Sequence, residues 1–110
     1  MPRYITTAKL TASALKGMIA KPEDRRDAIA GLVAAAGGEL IDYYLTTGDS
    51  DLLVIVDAPN DDVIAKVTLI TGASGMVTDL VSRRAWSTAE FAKVCAESGP
   101  IVQEYRMPGS

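Results

Sequence analysis

The side chains best suited to holding a small molecule fall on two segments with the alternating pattern of β-strands. Asp42 and Tyr44 share one face of the segment 39–47, and Arg84 and Trp86 share one face of the segment 76–86. An arginine can pair with a carboxylate, a carboxylate and a phenol can orient a polar group, and an indole can pack on an apolar body. The four residues together predict a partly apolar ligand site for a small anionic or aromatic molecule.

A purely structural role fits the same residues. Arg84 would then pair with Asp79 or Asp42, and the aromatic side chains would fill a subunit interface. Ion pairs and aromatic anchors are routine at oligomer interfaces, so this interpretation is the preferred one of the two.

Several kinds of catalytic and metal chemistry are excluded because the chain has no histidine and a single cysteine. The absence of histidine excludes Ser-His-Asp and Cys-His catalysis, histidine zinc sites and histidine-ligated haem. The turn with Asp49 and Asp51 lacks the EF-hand spacing. Cys95 has no histidine or cationic cluster near it in sequence that would activate it, and we predict a buried packing residue. We therefore expect no metal and no cofactor.

Length and charge place the chain in a broad class. A chain of 110 residues corresponds to one domain, 1–110, and a net charge of −3 removes the electrostatic basis for binding nucleic acid. The amino terminus has no signal segment, and no apolar stretch is long enough to span a bilayer. These features predict a cytoplasmic protein with no nucleic-acid or membrane partner.

The hydrophobic pattern predicts strands at 4–10, 39–47, 52–56 and 76–86, with the unbroken apolar run 52–56 at the centre of the sheet. A weakly helical connection covers 11–20. One long helix starts at Pro22, with Glu23 and Asp24 in its first turn, and ends at Gly37-Gly38. A second helix follows the N-cap Asn60.

The carboxy-terminal quarter predicts two further elements. Ser87 and Glu90 form a capping box for a third helix, whose residues Phe91, Val94 and Cys95 are expected to face inward. The segment 101–105 could form a fifth, edge strand on its own sheet or on that of a neighbour.

The order βαββαβ is the signature of an α+β, ferredoxin-like fold with an antiparallel sheet. Both long helices then cover one face of the sheet, which leaves Leu40, Tyr44 and half of the run 52–56 bare on the other. A soluble monomer does not tolerate a large patch of this kind. We expect a homodimer, or a higher homo-oligomer, in which two sheets pack face to face as a dimeric α+β barrel and the carboxy-terminal segment helps to close the seam.

Seven sequence blocks carry a resemblance to a known family: Tyr4-Ile5-Thr6, Leu15-Lys16-Gly17, Pro22-Glu23-Asp24-Arg25, Gly37-Gly38, Tyr44-Leu45-Thr46, Val54-Ile55-Val56-Asp57-Ala58-Pro59 and Arg84-Ala85-Trp86-Ser87. With them the chain resembles the GYD-domain family of small bacterial proteins. Ser50 stands where the Gly, variable, Tyr, Asp turn of that family has tyrosine. The resemblance implies a ferredoxin-like, dimer-forming domain and leaves the activity open.

Three function classes follow. The first is a homodimer that binds a small molecule between its sheet and the partner subunit, through the four residues above. The second is a cofactor-independent enzyme, of the monooxygenase or isomerase type found on dimeric α+β barrels, in which Asp42, Asp79 or Tyr44 transfers the proton. The third is an assembly domain without a ligand.

Overall fold

Four antiparallel strands form a single sheet in the computed structural model, which describes residues 1–110. The elements are, in chain order, β1 (Arg3–Leu10), α1 (Ala12–Ala20), α2 (Arg26–Ala36), β2 (Glu39–Leu45), β3 (Leu52–Asp57), α3 (Asp61–Ala73), β4 (Val77–Ala85), α4 (Thr88–Ser98) and a 3₁₀ segment (Gly99–Glu104). No helix combines the length and the apolar character that crossing a bilayer requires.

The sheet has the strand order β2-β3-β1-β4, and every neighbouring pair is antiparallel. This is the split βαββαβ arrangement of a ferredoxin-like fold, so the predicted fold class is confirmed. The hairpin of β2 and β3 and the interior position of the apolar strand β3 are as expected.

The core lies between the sheet and the helices α2 and α3. It is built from small and medium side chains, and its buried members are Tyr4, Val33, Val56, Ala58 and Val63. α2 ends at Gly37, which has a φ of 104° and adopts the left-handed conformation that favours glycine. Gly38 follows against β3, where a Cβ atom would come within 3.0 Å of the Asp57 carbonyl oxygen. The two glycines thus turn the chain from α2 into β2 with the sheet in close contact.

A bulge in β2 corrects one sequence prediction. The pairing with β3 shifts register between Leu40 and Asp42, so two consecutive residues of β2 span one step of its partner. Leu40 therefore lies opposite the buried Val56 and packs against the core, on the helix-covered face. The prediction that Leu40 and Tyr44 share the bare face is wrong, because strict alternation does not hold across the bulge.

The start of α2 is also later than predicted. Pro22, Glu23 and Asp24 precede the helix, which begins at Arg26. The Asp24 carboxylate accepts a hydrogen bond from the Arg26 backbone N–H at 2.9 Å. A short acidic side chain that bonds to the backbone two residues on holds a turn, and this turn delays the helix.

Residues 87–110, the C-terminal arm, differ most from expectation. The capping box of Ser87 and Glu90 is present, as predicted. The segment 101–105 forms no strand, because Gly99–Glu104 is a 3₁₀ helix, and neither Phe91, Val94 nor Cys95 faces inward. Cys95 is exposed, so the prediction of a buried packing residue is wrong. The residues are exposed because the arm projects away from the sheet and helices.

Candidate functional site

One side of the sheet carries no helix, and we call it the open face. Directly paired residues of antiparallel strands point to the same side, so the register identifies its members. They form two rows across the four strands: Asp42, Ile55, Ile5 and Arg83, then Tyr44, Leu53, Thr7 and Val81. The open face therefore has an apolar centre with charged or phenolic groups at both edges.

The apolar centre is accessible to water. Ile5, Leu53 and Ile55 are half-buried by their own neighbours, whereas Tyr44 and Val81 are 53% and 43% exposed. At one end of the open face, beyond these two rows, Arg3 donates two hydrogen bonds to the Asp57 carboxylate, at 2.8 Å and 3.1 Å. The Arg3 guanidinium holds the pKa of the Asp57 carboxyl below its usual value.

A small polar cluster occupies the β2 edge of the open face. Arg26 reaches from the start of α2 to the Asp42 carboxylate, with 3.6 Å between Nη1 and Oδ1, and it donates a hydrogen bond to the Ile41 carbonyl oxygen at 3.0 Å. Asp42 raises the pKa of the Tyr44 phenol, because the carboxylate accepts a hydrogen bond from the neutral phenol and repels the phenolate. The cluster thus presents a neutral hydroxyl and a paired carboxylate beside the apolar centre.

Arg84 and Trp86 lie apart from this cluster. Arg84 is opposite Tyr4, a core residue, so it belongs to the helix-covered side of the sheet. Its guanidinium carbon stands 4.7 Å from the centre of the Trp86 ring, a cation–π contact, and Nη1 donates to the Ala85 carbonyl oxygen. The structure therefore brings the four predicted site residues together as two separate pairs, and the arginine on the open face is Arg83.

The ion pairs predicted for Arg84 are not formed either. Asp42 pairs with Arg26, and Asp79 lies 3.7 Å from Lys9. Trp86 instead lines a shallow cleft of about 380 Å³ with Met1, Ser87 and Glu90. The Ser87 backbone N–H donates a hydrogen bond to the Glu90 carboxylate at 2.9 Å, which lowers the pKa of that carboxyl. The Ser87 Oγ accepts a hydrogen bond from the Glu90 backbone N–H at 3.0 Å.

A much larger cavity lies on the helix-covered side of the sheet, and sequence reasoning missed it. This helix-side groove, of about 1100 Å³, runs between the sheet and the helices α1, α2 and α3, and 19 of its 31 lining residues are hydrophobic. They include Leu10, Met18, Ile29, Leu32, Ile70 and Leu80. The signal in the sequence is the small side chains that α1 turns toward β1, since Ala14 and Gly17 line the groove and leave it unfilled.

No group of three cysteine or acidic side chains is close enough to hold a metal ion. The groups that the geometry does offer for binding are the neutral phenol and paired carboxylate of the open face and the cation of Arg83.

Comparison with known proteins gives the class of the protein. The family model described as the GYD domain matches residues 4–95, which is most of the chain, and the chain belongs to this family. The predicted resemblance is thereby confirmed. No curated protein matches the chain.

One solved structure similar to the chain is the transcriptional regulator NMB0573 of Neisseria meningitidis, crystallised in complex with L-Met. The sequence identity is 18%, the TM-score is 0.49, and the match covers 79% of this chain. The chain spans about half, 51%, of the length of that regulator.

Proposed function

We propose that this GYD-domain protein is a homodimeric small-molecule-binding protein, in which the open faces of two copies meet and hold the ligand between them. The single observation that carries the proposal is the open face itself: an apolar centre accessible to water, with a phenol, a carboxylate and an unpaired arginine at its rim. A small-ligand site has this composition of apolar walls and few polar groups.

Symmetry supports the dimer. In a two-fold interface the same patch serves both copies, so it must be complementary to itself. At the β2 edge the open face has the carboxylate of Asp42, which is paired with Arg26 at 3.6 Å. At the β4 edge it has Arg83, which has no ion-pair partner. Opposite charges at opposite edges allow two copies to meet without placing like charges together, and the apolar centre supplies the area to be buried.

Within this interface Asp42 and Tyr44 are the groups that we assign to the ligand. The phenol is half exposed and neutral, so it can donate or accept a hydrogen bond, and the neighbouring side chains Leu53 and Ile55 offer an apolar wall. Arg83 lies three strands away from Tyr44, at the opposite edge of the sheet, so the cation for an acidic group comes from the second copy.

Arg84 lies outside this proposed site, because its partner in the register is the core residue Tyr4. Trp86 lies beyond the end of β4, in the cleft that it shares with Arg3 and Asp57.

The test is a binding experiment with named probes. Native mass spectrometry and thermal shift should detect benzoate, salicylate or indole-3-carboxylate bound to the dimer. We expect Tyr44→Phe to weaken the binding of the probes about tenfold, as the loss of one hydrogen bond to a charged ligand does. Asp42→Asn should weaken the binding of indole-3-carboxylate, whose ring N–H can donate a hydrogen bond to the carboxylate. Asp79→Asn is the matched control, since Asp79 is an exposed carboxylate outside the open face rows, and it should bind as the native chain does.

Two results would contradict the proposal. The first is that none of the probes binds and that a crystal structure of the dimer shows the interface filled by protein side chains. The second is that a probe binds equally well to the native protein and to both variants.

A further inference from the structure

The C-terminal arm makes little contact with the rest of its own chain: at its base the Phe91 ring meets the Trp86 ring edge-on, with 5.7 Å between the ring centres. Every residue of the arm is exposed, including large apolar side chains such as Phe91, Ile101, Val102, Tyr105 and Met107. The radius of gyration is 17.9 Å and the longest dimension is 60 Å, whereas a compact chain of this length has a radius near 13 Å. The arm is therefore an ordered extension whose apolar surface faces water.

An arm of this kind requires a surface to fold against. α4 has 11 residues, and isolated helices below about 12 residues are marginal in water even with good helix formers. Its capping box contributes only about 1 kcal/mol. The remaining stability must come from packing of the apolar side, as for most helices in proteins.

The arm carries a regular pattern that describes the surface it fits. Within α4 the apolar residues Phe91 and Val94 follow at helical spacing, and Glu90 and Glu97 lie beside them, seven residues apart. The 3₁₀ segment continues the arm with the apolar Ile101 and Val102 and ends at Glu104. Glu97 and Glu104 have no ion-pair partner. The complementary surface is an apolar channel with a basic rim.

The helix-side groove has both features. Its floor and walls are mostly hydrophobic, with room for several large side chains. Three basic residues, Lys21, Arg25 and Arg26, line it together with two acidic ones, Glu23 and Asp24. Arg25 pairs with Glu23 and Arg26 with Asp42, so Lys21 is the cation that remains for the arm. Lys21 has no acidic partner within its own chain. The open face is the poorer fit, because only four of its paired residues, Ile5, Leu53, Ile55 and Val81, are apolar.

We propose that the C-terminal arm of one copy docks in the helix-side groove of a second copy, with the unpaired glutamates of the arm beside Lys21 of the groove. The exchange covers two apolar surfaces that a single chain leaves open. It is independent of the open-face dimer, since it uses the other side of the sheet.

The single native cysteine provides the test. Cys95 lies on the arm and is exposed, so a second cysteine in the groove reports contact by disulfide formation, which needs Cα atoms within about 7 Å. Full-length chains with Ser13→Cys, Ala28→Cys or Thr68→Cys place this probe on each of the three helices that line the groove. Under mild oxidation at least one of the three should give an interchain disulfide in more than half of the molecules.

Three controls make the result decisive. Ala34→Cys and Lys66→Cys lie on α2 and α3 but outside the groove, and they should give no more dimer than the native Cys95 alone. Thr7→Cys probes the open face. The proposal is overturned if Thr7→Cys cross-links and the groove variants do not, if the groove disulfide forms only within one chain, or if no groove variant cross-links.

A second measurement uses the native chain and Ile101→Asp, a change at a side chain that is 61% exposed and outside the core. With the arm in the groove, the apolar dye 1-anilinonaphthalene-8-sulfonate should bind weakly to the native protein and at least fivefold more to the variant. Strong and equal binding to both would show an open groove that accepts small apolar molecules, and it would overturn the exchange.

Discussion

If the open face is the dimer interface, a lysine at Val81 should weaken the dimer. The Val81 side chain lies on the edge strand β4, in the open face, and 43% of it is exposed. Val81→Lys should leave the fold of the single chain unchanged, because the lysine can extend into water. In the dimer the same ammonium must be buried or must bend toward the rim, beside the cation Arg83.

The size of the effect follows from these two contributions. Loss of the buried valine and partial desolvation of the ammonium together cost about 1–2 kcal/mol per copy when the side chain can reach the rim. Both copies carry the change, so the dimer loses about 2–4 kcal/mol, which raises the dissociation constant roughly 30- to 700-fold. Sedimentation velocity from about 1 to 100 μM measures this shift.

The matched control is Leu69→Lys. Leu69 is 72% exposed on α3 and belongs neither to the open face nor to the helix-side groove. We expect its dimer to be as strong as that of the native chain, with the same far-ultraviolet circular dichroism in all three proteins. Equal dissociation constants for the native chain and for Val81→Lys would refute the assignment of the open face.

Three further predictions concern single groups. Gly38→Ala should destabilise the fold by about 1–3 kcal/mol in urea unfolding, because its Cβ would crowd Val33 and the Asp57 carbonyl, whereas Gly31→Ala, with open space around it, should stabilise α2 by about 0.5–1 kcal/mol. Asp57→Asn should flatten the acid side of the curve of unfolding free energy against pH. Arg3 lowers the pKa of Asp57 in the folded state. The stabilisation by Asp57 is therefore complete above its ordinary pKa of 3.8 and is lost as the pH falls through the lowered pKa. An unchanged acid limb would contradict this. Asp42→Asn should move the ultraviolet titration of Tyr44 to lower pH, since Asp42 is the main cause of its raised pKa, with Tyr44→Phe identifying the signal.

The fold could be predicted from the sequence because its local signals agree with one another. The alternating and unbroken apolar runs, the glycine pair 37–38, the N-cap Asn60 and the capping box at Ser87 each specify a boundary that the structure contains. These signals act over a few residues, and the sequence displays all of them. The order of elements then leaves few topologies to consider.

The candidate site was harder to predict because it depends on the face on which each strand residue lies. A single bulge in β2 moves Leu40 to the helix-covered side, whereas strict alternation along the strand predicts that Leu40 shares a face with Tyr44. The faces of β4 relative to β1 follow from the pairing register, which places Arg83 rather than Arg84 on the open face. The register between strands that are distant in sequence depends on how the whole sheet assembles, so the sequence of one strand alone does not predict it.

The arm shows a further limit of the apolar pattern. Phe91, Val94 and Cys95 have the spacing of a buried stripe, and in the structure all three are exposed. Periodicity indicates that a helix has a side to cover, and it does not say which chain covers it.

The central claim is that a second copy covers the open face. Its most direct test is to measure, at several protein concentrations, the mass of the native protein and the hydrogen exchange of its β4 amides. Sedimentation equilibrium at micromolar concentration should give at least twice the 11.6 kDa of the chain, and the amides of the edge strand β4 should lose protection on dilution to the monomer. A mass of 11.6 kDa across the whole concentration range, with exchange in β4 independent of dilution, would contradict the account.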